Sequence, residues 1–173
     1  MELLGNVLAM VAVAVIVAFT AYIMLKLSNE KELKKIVLER KKEQVPVIMP
    51  IRLQAYERIA LFLERIRPES LLLRESPAGE IVAQYHGQLL TAIRNEFEHN
   101  LSQQVYISSA LWEATCLARQ ETVKIINLAF GQLNQDAPAT QLSSKILEMA
   151  ASLKQEPSDV ALSLLHQEVM ELY

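Results

Sequence analysis

The chain has 173 residues, of which 51% are hydrophobic and 21% are charged, and its formal net charge is −3. The hydrophobic content and the low counts of four Gly and six Pro exclude a disordered, collagen-like or low-complexity protein. A single Cys excludes an intramolecular disulfide framework and a zinc site built on cysteines. The negative net charge gives no overall signal for nucleic-acid binding.

The hydrophobic residues are concentrated at the start of the chain, where residues 3–25 contain no charged side chain. A helix of this length would be about 35 Å long, enough to cross a hydrocarbon core of about 30 Å. A cleaved signal peptide fits less well, because the segment before the run contains Glu2 and no basic residue, and the run is longer than the apolar region of a signal peptide. We therefore predict that residues 1–25 are a transmembrane anchor retained in the lipid bilayer.

A charged connector is predicted over residues 26–50. Residues 26–43 have seven basic and four acidic side chains, whereas the other flank of the apolar run has no Lys or Arg. The positive-inside rule then predicts a single-pass protein of the inner (plasma) membrane, with its N-terminus outside and its C-terminal domain in the cytoplasm. For the basic cluster over 31–42 we prefer a solvated helix that carries the orientation charges, and binding to anionic lipid headgroups is the alternative. Pro46 and Pro50 mark the boundary with the next domain.

The remaining residues, 51–173, are predicted to form an antiparallel helical bundle. Apolar residues recur there at helical spacing, and no segment alternates as a strand does. Pro68 ends the first helix, Ser76-Pro77 is a start signal for the second, and residues 71–73 form a short apolar patch without an assigned element. The fold class is thus all-α, with five predicted bundle helices at 51–66, 77–103, 109–133, 139–153 and 157–171.

The densest polar cluster lies on the second predicted helix, where Glu96 and His99 have the Glu-x-x-His spacing. In carboxylate-bridged di-iron bundles this spacing places a carboxylate and an imidazole at one metal site. Such a site needs a second Glu-x-x-His and two further Glu residues, and neither of the other two histidines has a Glu three positions before it. Only a symmetric dimer would supply the second copy. The alternative, which we prefer, is a solvated or interhelical polar patch with Arg94 paired to Glu98.

Other candidate side chains have structural interpretations. His86 flanks the apolar stripe of the second helix and is predicted to be a packed or edge histidine. Trp112 and Phe130 are predicted core residues, and Cys116 is predicted to be a buried apolar side chain rather than a nucleophile. The serine pair at 108–109 is predicted to cap a helix. No catalytic, cofactor-binding or metal-binding residue is assigned.

Three segments and one tryptophan are similar to a known family; they are residues 53–58, 61–65 and 96–104, followed by Trp112. On these residues the chain resembles an uncharacterised family of small single-span membrane proteins of Bacteroidota, and the resemblance covers essentially the whole chain. The family has no known activity, cofactor or partner. The resemblance therefore implies a bacterial envelope context and transfers no functional residue.

These observations favour a membrane-anchored helical interaction or scaffold module without catalytic activity, which is a subunit of or an adaptor for a larger inner-membrane assembly. Its expected partners are the lipid bilayer and another protein or a second copy of the chain, with no nucleic acid, no cofactor and no identified small-molecule substrate. One alternative is a dimeric metal-binding bundle enzyme that uses Glu96 and His99. The other is a membrane-surface module that binds anionic lipids through residues 31–42.

Overall fold

The computed structural model describes residues 10, 19–20, 22–26, 48–77 and 79–172. The chain divides into two compact units, Met1–Met49 and Pro50–Tyr173. All described residues of the first unit have helical backbone, and the described part of the second unit consists of helices and their connections, without a named strand. The prediction of an all-α fold is confirmed.

The structure contradicts the predicted transmembrane anchor. Among the described residues, no helix combines the length and the apolar content that crossing a membrane requires. A spanning helix needs about 20 consecutive apolar residues, and within the predicted span the structure describes only residues 10, 19–20 and 22–25, all with helical backbone. The predicted localisation, as a single-pass protein of the inner membrane, depended on this anchor and is wrong for the same reason.

The other residues of the predicted span, 3–9, 11–18 and 21, lie outside the described residues. Residues 27–47 of the predicted connector also lie outside the described residues, and they include the basic cluster over 31–42.

Helix α1 covers the described residues 48–65, and residues 50–65 of it belong to the second unit. Its sequence places apolar side chains at helical spacing, and these form one buried face, made of Ala55, Tyr56, Ile59, Phe62 and Leu63. The helix ends before Pro68, as predicted. Proline cannot continue a helix, but it fits the first turn of a new one, because the amide hydrogen that it lacks has no helical partner there.

A short helix that the sequence did not predict, α2, therefore begins at this proline and covers Pro68–Arg74. It accounts for the unassigned apolar patch, since Leu71 and Leu72 are buried, whereas Leu73 is exposed.

Helix α3 covers Val82–Asn100 and is followed by a 3-10 turn over Leu101–Val105. Its start is five residues later than predicted. Gly79 has φ of +82°, a left-handed conformation that interrupts a helix and that glycine adopts without strain. The apolar repeat continues at position 101, which made the helix look longer than it is.

Helix α4 covers Ser109–Phe130, α5 covers Ala139–Ala151 and α6 covers Pro157–Met170. Ser108 caps α4 as predicted, because its hydroxyl accepts a hydrogen bond from the Leu111 amide at 3.0 Å. Helix α4 packs against α3, α5 and α6, so it supplies much of the core of this unit.

The start of α3 and the start of α5 are held together by backbone hydrogen bonds. Ile81 and Pro138 form an isolated antiparallel bridge. The Val82 amide donates to the Ala137 carbonyl at 2.9 Å, and the Ala139 amide donates to the Glu80 carbonyl at 3.0 Å. The first amides of a helix have no partner within it, so each helix start supplies what the other lacks.

Candidate functional site

Within the predicted polar cluster on α3, Glu96 and His99 lie beside α1. Arg65 of α1 places Nη1 2.8 Å from Oε1 of Glu96, and the two side chains are 43% and 20% exposed. The buried Asn100 amide donates to the Glu96 carbonyl at 2.8 Å, one turn earlier in the same helix. Glu96 and Arg65 therefore form an ion pair between helices, beside a polar amide that fixes the end of α3.

Two hollows lie on either side of this ion pair. One, of about 350 Å³, is lined by residues that include Glu57, Arg58 and His99. The other, of about 430 Å³, includes Arg74 and Glu75. We call both together the α1–α3 groove. It contains side chains of both signs, which balance one another along its length.

This arrangement is an interhelical polar patch, as the preferred prediction had it, but with a different ion pair. In the part of the chain that the structure describes, no ion pair joins Arg94 to Glu98. Glu96 is paired instead, and a metal ion would have to displace the Arg65 guanidinium before it reached the carboxylate. Three or more His, Cys, Asp or Glu side chains are nowhere gathered in metal-binding geometry within the described ranges.

The aromatic side chains singled out from the sequence are packed. His86 stacks on Phe130 with 4.0 Å between ring centroids, and its Nε2 lies 2.8 Å from Oδ1 of Asn127. Trp112 stacks on Phe97 with 5.4 Å between centroids. Trp112 and Phe130 are partly buried against the core, so packing accounts for their positions.

Cys116 is partly exposed. Burial raises the pKa of its thiol, with Arg119 opposing that effect. Because the thiolate is the nucleophilic form, this environment disfavours a catalytic cysteine.

A polar network that the sequence did not reveal is centred on Glu168 of α6. Its carboxylate accepts hydrogen bonds from the Tyr56 hydroxyl at 3.1 Å and from the Ser108 hydroxyl. Arg52 donates to the Tyr56 oxygen at 2.9 Å and to the Tyr106 carbonyl at 3.2 Å. Burial, followed by the hydrogen bond to Glu168, raises the pKa of Tyr56. The network joins α1, α4 and α6, and no spacing in the sequence could indicate it.

A further hollow, of about 340 Å³, lies between α4 and the segment that connects α5 to α6. Leu117, Leu153 and Val160 line it and are 58%, 43% and 55% exposed. Glu121 and Glu156 add the acidic groups of its lining. We call this hollow the α4–α6 groove. It is apolar in its walls and acidic at two positions.

These features define the class of protein: an all-helical unit with a mixed-charge groove on one pair of helices and an apolar groove on another. The chain belongs to the family of unknown function DUF7935, whose model matches residues 2–172. This confirms the predicted membership of an uncharacterised family. Comparisons with curated proteins and with solved structures gave no match.

Proposed function

We propose that the unit Pro50–Tyr173 is a non-catalytic protein-interaction module, which binds a helix of a partner protein in the α4–α6 groove. The observation that carries this proposal is the exposure of Leu117, Leu153 and Val160 around one concavity. Single exposed apolar residues are ordinary on protein surfaces. Several around one hollow are typical of a binding site, because their burial by a partner is favourable.

Charge favours a basic partner. Residues 50–173 contain ten Lys and Arg and fifteen Asp and Glu. In the groove itself, burial and the neighbouring Glu69 carboxylate raise the pKa of Glu156 although Arg67 is paired with it, so a further cation close to this carboxylate would be favourable. The occupant we propose is an amphipathic helix, with leucine-like anchors for the groove and Lys or Arg beside them.

The test uses two designed helical peptides that share the same leucine face and carry either Lys or Glu elsewhere. Fluorescence polarisation with the purified full-length protein measures their binding. We expect the Lys peptide to bind at least about tenfold more tightly than the Glu peptide, and the uncharged substitutions Leu117→Gln or Val160→Gln to weaken it by a similar factor, which is about 1.4 kcal/mol.

Leu73→Gln is the matched control, because Leu73 is an exposed leucine on α2 that does not line the groove. Equal binding of the two peptides would contradict the proposed charge preference. Equal effects of Leu73→Gln and Leu117→Gln would show that the peptides do not bind in this groove, and the proposal would then fail.

The metal-binding enzyme considered as an alternative has less support, because Arg65 is bound to the Glu96 carboxylate. Assembly into a larger complex stays a prediction, and so does the Bacteroidota origin that the resemblance implies.

A further inference from the structure

A separate pocket of about 280 Å³ lies between α3 and α4. Its lining combines three apolar side chains, Leu90, Ile93 and Val123, with two arginines, Arg94 and Arg119. Gln120 completes it. No carboxylate lines this pocket, although acidic residues outnumber basic ones in the unit as a whole.

Both guanidinium groups are available to a ligand. The ion pairs between described residues involve Arg65, Arg67, Arg74 and two lysines, and neither Arg94 nor Arg119 takes part in one. The two hollows of the α1–α3 groove also contain arginines, but carboxylates line both of them. The lining of the α3–α4 pocket has two positive charges and no negative one.

Arg119 is held in place by an aromatic ring. Its guanidinium carbon lies 4.0 Å from the centroid of the Phe97 ring, which in turn stacks on Trp112. A guanidinium over an aromatic face is attracted to the ring, while its N–H edges stay free to bind an anion. The ring therefore reduces the side-chain entropy that Arg119 would lose on binding.

We propose that the α3–α4 pocket binds a small organic anion, which places a carboxylate or phosphate group between Arg94 and Arg119 and an apolar body against Leu90, Ile93 and Val123. Arginine forms paired hydrogen bonds with the oxygens of either group. The volume is near the lower end of the range for ligand pockets, about 300 Å³, so a single ring or a short acyl chain is the expected size. This site is independent of the partner-helix groove.

The test measures the binding of simple probes to the full-length protein by isothermal titration calorimetry. Phenyl phosphate and benzoate present each anionic group on an apolar ring, benzyl alcohol has the ring without the charge, and inorganic phosphate has the charge without the ring. We expect at least one ring anion to bind at least about tenfold more tightly than benzyl alcohol and inorganic phosphate. Which of the two binds better identifies the anionic group.

Trp112 gives an independent readout, because it is the only tryptophan of the chain and stacks on the ring that carries Arg119. The same ring anion should change its fluorescence with the affinity that calorimetry gives. Arg94→Gln should weaken binding of this anion tenfold or more. Arg119→Lys keeps the positive charge but lacks the planar guanidinium with its paired N–H donors, so it should weaken binding as well.

Arg58→Gln is the matched control: it removes the same charge from an arginine of the α1–α3 groove that has no ion pair in the described ranges. Arg94 is exposed, so its substitution leaves the fold intact, and circular dichroism verifies this. Binding of benzyl alcohol as tight as that of both ring anions would overturn the proposal. So would equal losses in Arg58→Gln and Arg94→Gln, because the anions would then be responding to net charge alone.

Discussion

Glu156 lies just before α6, in a cluster where one arginine serves three carboxylates. Arg67 lies 3.0 Å from Glu64, 3.0 Å from Glu156 and 2.6 Å from Asp159. Burial raises the pKa of Glu156 above its ordinary value, and the Glu69 carboxylate adds to the shift, while Arg67 opposes it. A single guanidinium does not offset the desolvation and the repulsion together.

The raised pKa of Glu156 predicts a pH dependence of stability. In the pH range above the ordinary glutamate value and up to the raised one, the native state retains a proton that the unfolded state has released, so the free energy of unfolding decreases as the pH rises. Glu156→Gln removes this contribution. Urea unfolding of both proteins from about pH 4 to about pH 7 measures it. A difference between them that stays constant over the whole range would contradict the prediction.

Ser158, unlike Glu156, is a buried polar residue whose side chain has a full hydrogen-bond partner. Its hydroxyl donates to the Leu63 carbonyl at 3.0 Å, in the last turn of α1, where carbonyls have no partner within the helix. We expect Ser158→Ala to lower the free energy of unfolding by about 1–3 kcal/mol, because it leaves this carbonyl buried without a donor.

Ser144→Ala serves as its control, since the Ser144 hydroxyl donates to the Thr140 carbonyl at an exposed position. That change should stay within about 0.5 kcal/mol in the same urea titration. Equal effects of the two substitutions would show that the bond to Leu63 contributes nothing beyond the loss of a hydroxyl.

At the scale of elements, the ion pair between Arg65 and Glu96 links α1 to α3 at 2.8 Å. A double-mutant cycle with Arg65→Ala and Glu96→Ala should give a coupling free energy of about 0.2–1 kcal/mol, because water screens a pair that is partly exposed. The coupling should shrink further in high salt. A coupling of several kcal/mol, insensitive to salt, would require a buried pair and would contradict this geometry.

Helices α4, α5 and α6 were predictable because their signals are local. Pro138 and Pro157 mark the starts of α5 and α6, and the apolar repeat of each helix stays on one face. The start of α3 could not be predicted from the sequence, because it depends on the left-handed turn at Gly79 and on the bridge to Pro138. That bridge joins residues far apart in sequence, which periodicity does not detect.

The candidate sites also divide into features that were predictable from local sequence and features that were not. The sequence located the polar cluster of α3, because Glu96 and His99 lie close together in the chain, but it assigned the wrong ion pair, because Arg65 belongs to another helix. The network around Glu168 and the pocket of Arg94 and Arg119 are created by packing between helices. Neither has a sequence spacing that would have revealed it.

At the scale of the whole molecule, the division into two units leads to a prediction about autonomy. The buried apolar residues of the described ranges lie between Ala55 and Leu165, within the second unit. A fragment of residues 50–173 should therefore be helical by circular dichroism and unfold in urea in one cooperative step, with the same midpoint by Trp112 fluorescence. A gradual loss of helicity without a fluorescence transition would show that this core is insufficient alone.

The paired backbone bonds at the starts of α3 and α5 have a consequence for local opening. Fraying of either helix start exposes the amide of the other, since the Val82 amide depends on the Ala137 carbonyl and the Ala139 amide on the Glu80 carbonyl. Deuterium uptake at positions 82 and 139 should follow a common rate, far slower than at an ordinary first turn. The two helices then behave as one opening unit, although more than fifty residues of chain separate their first turns.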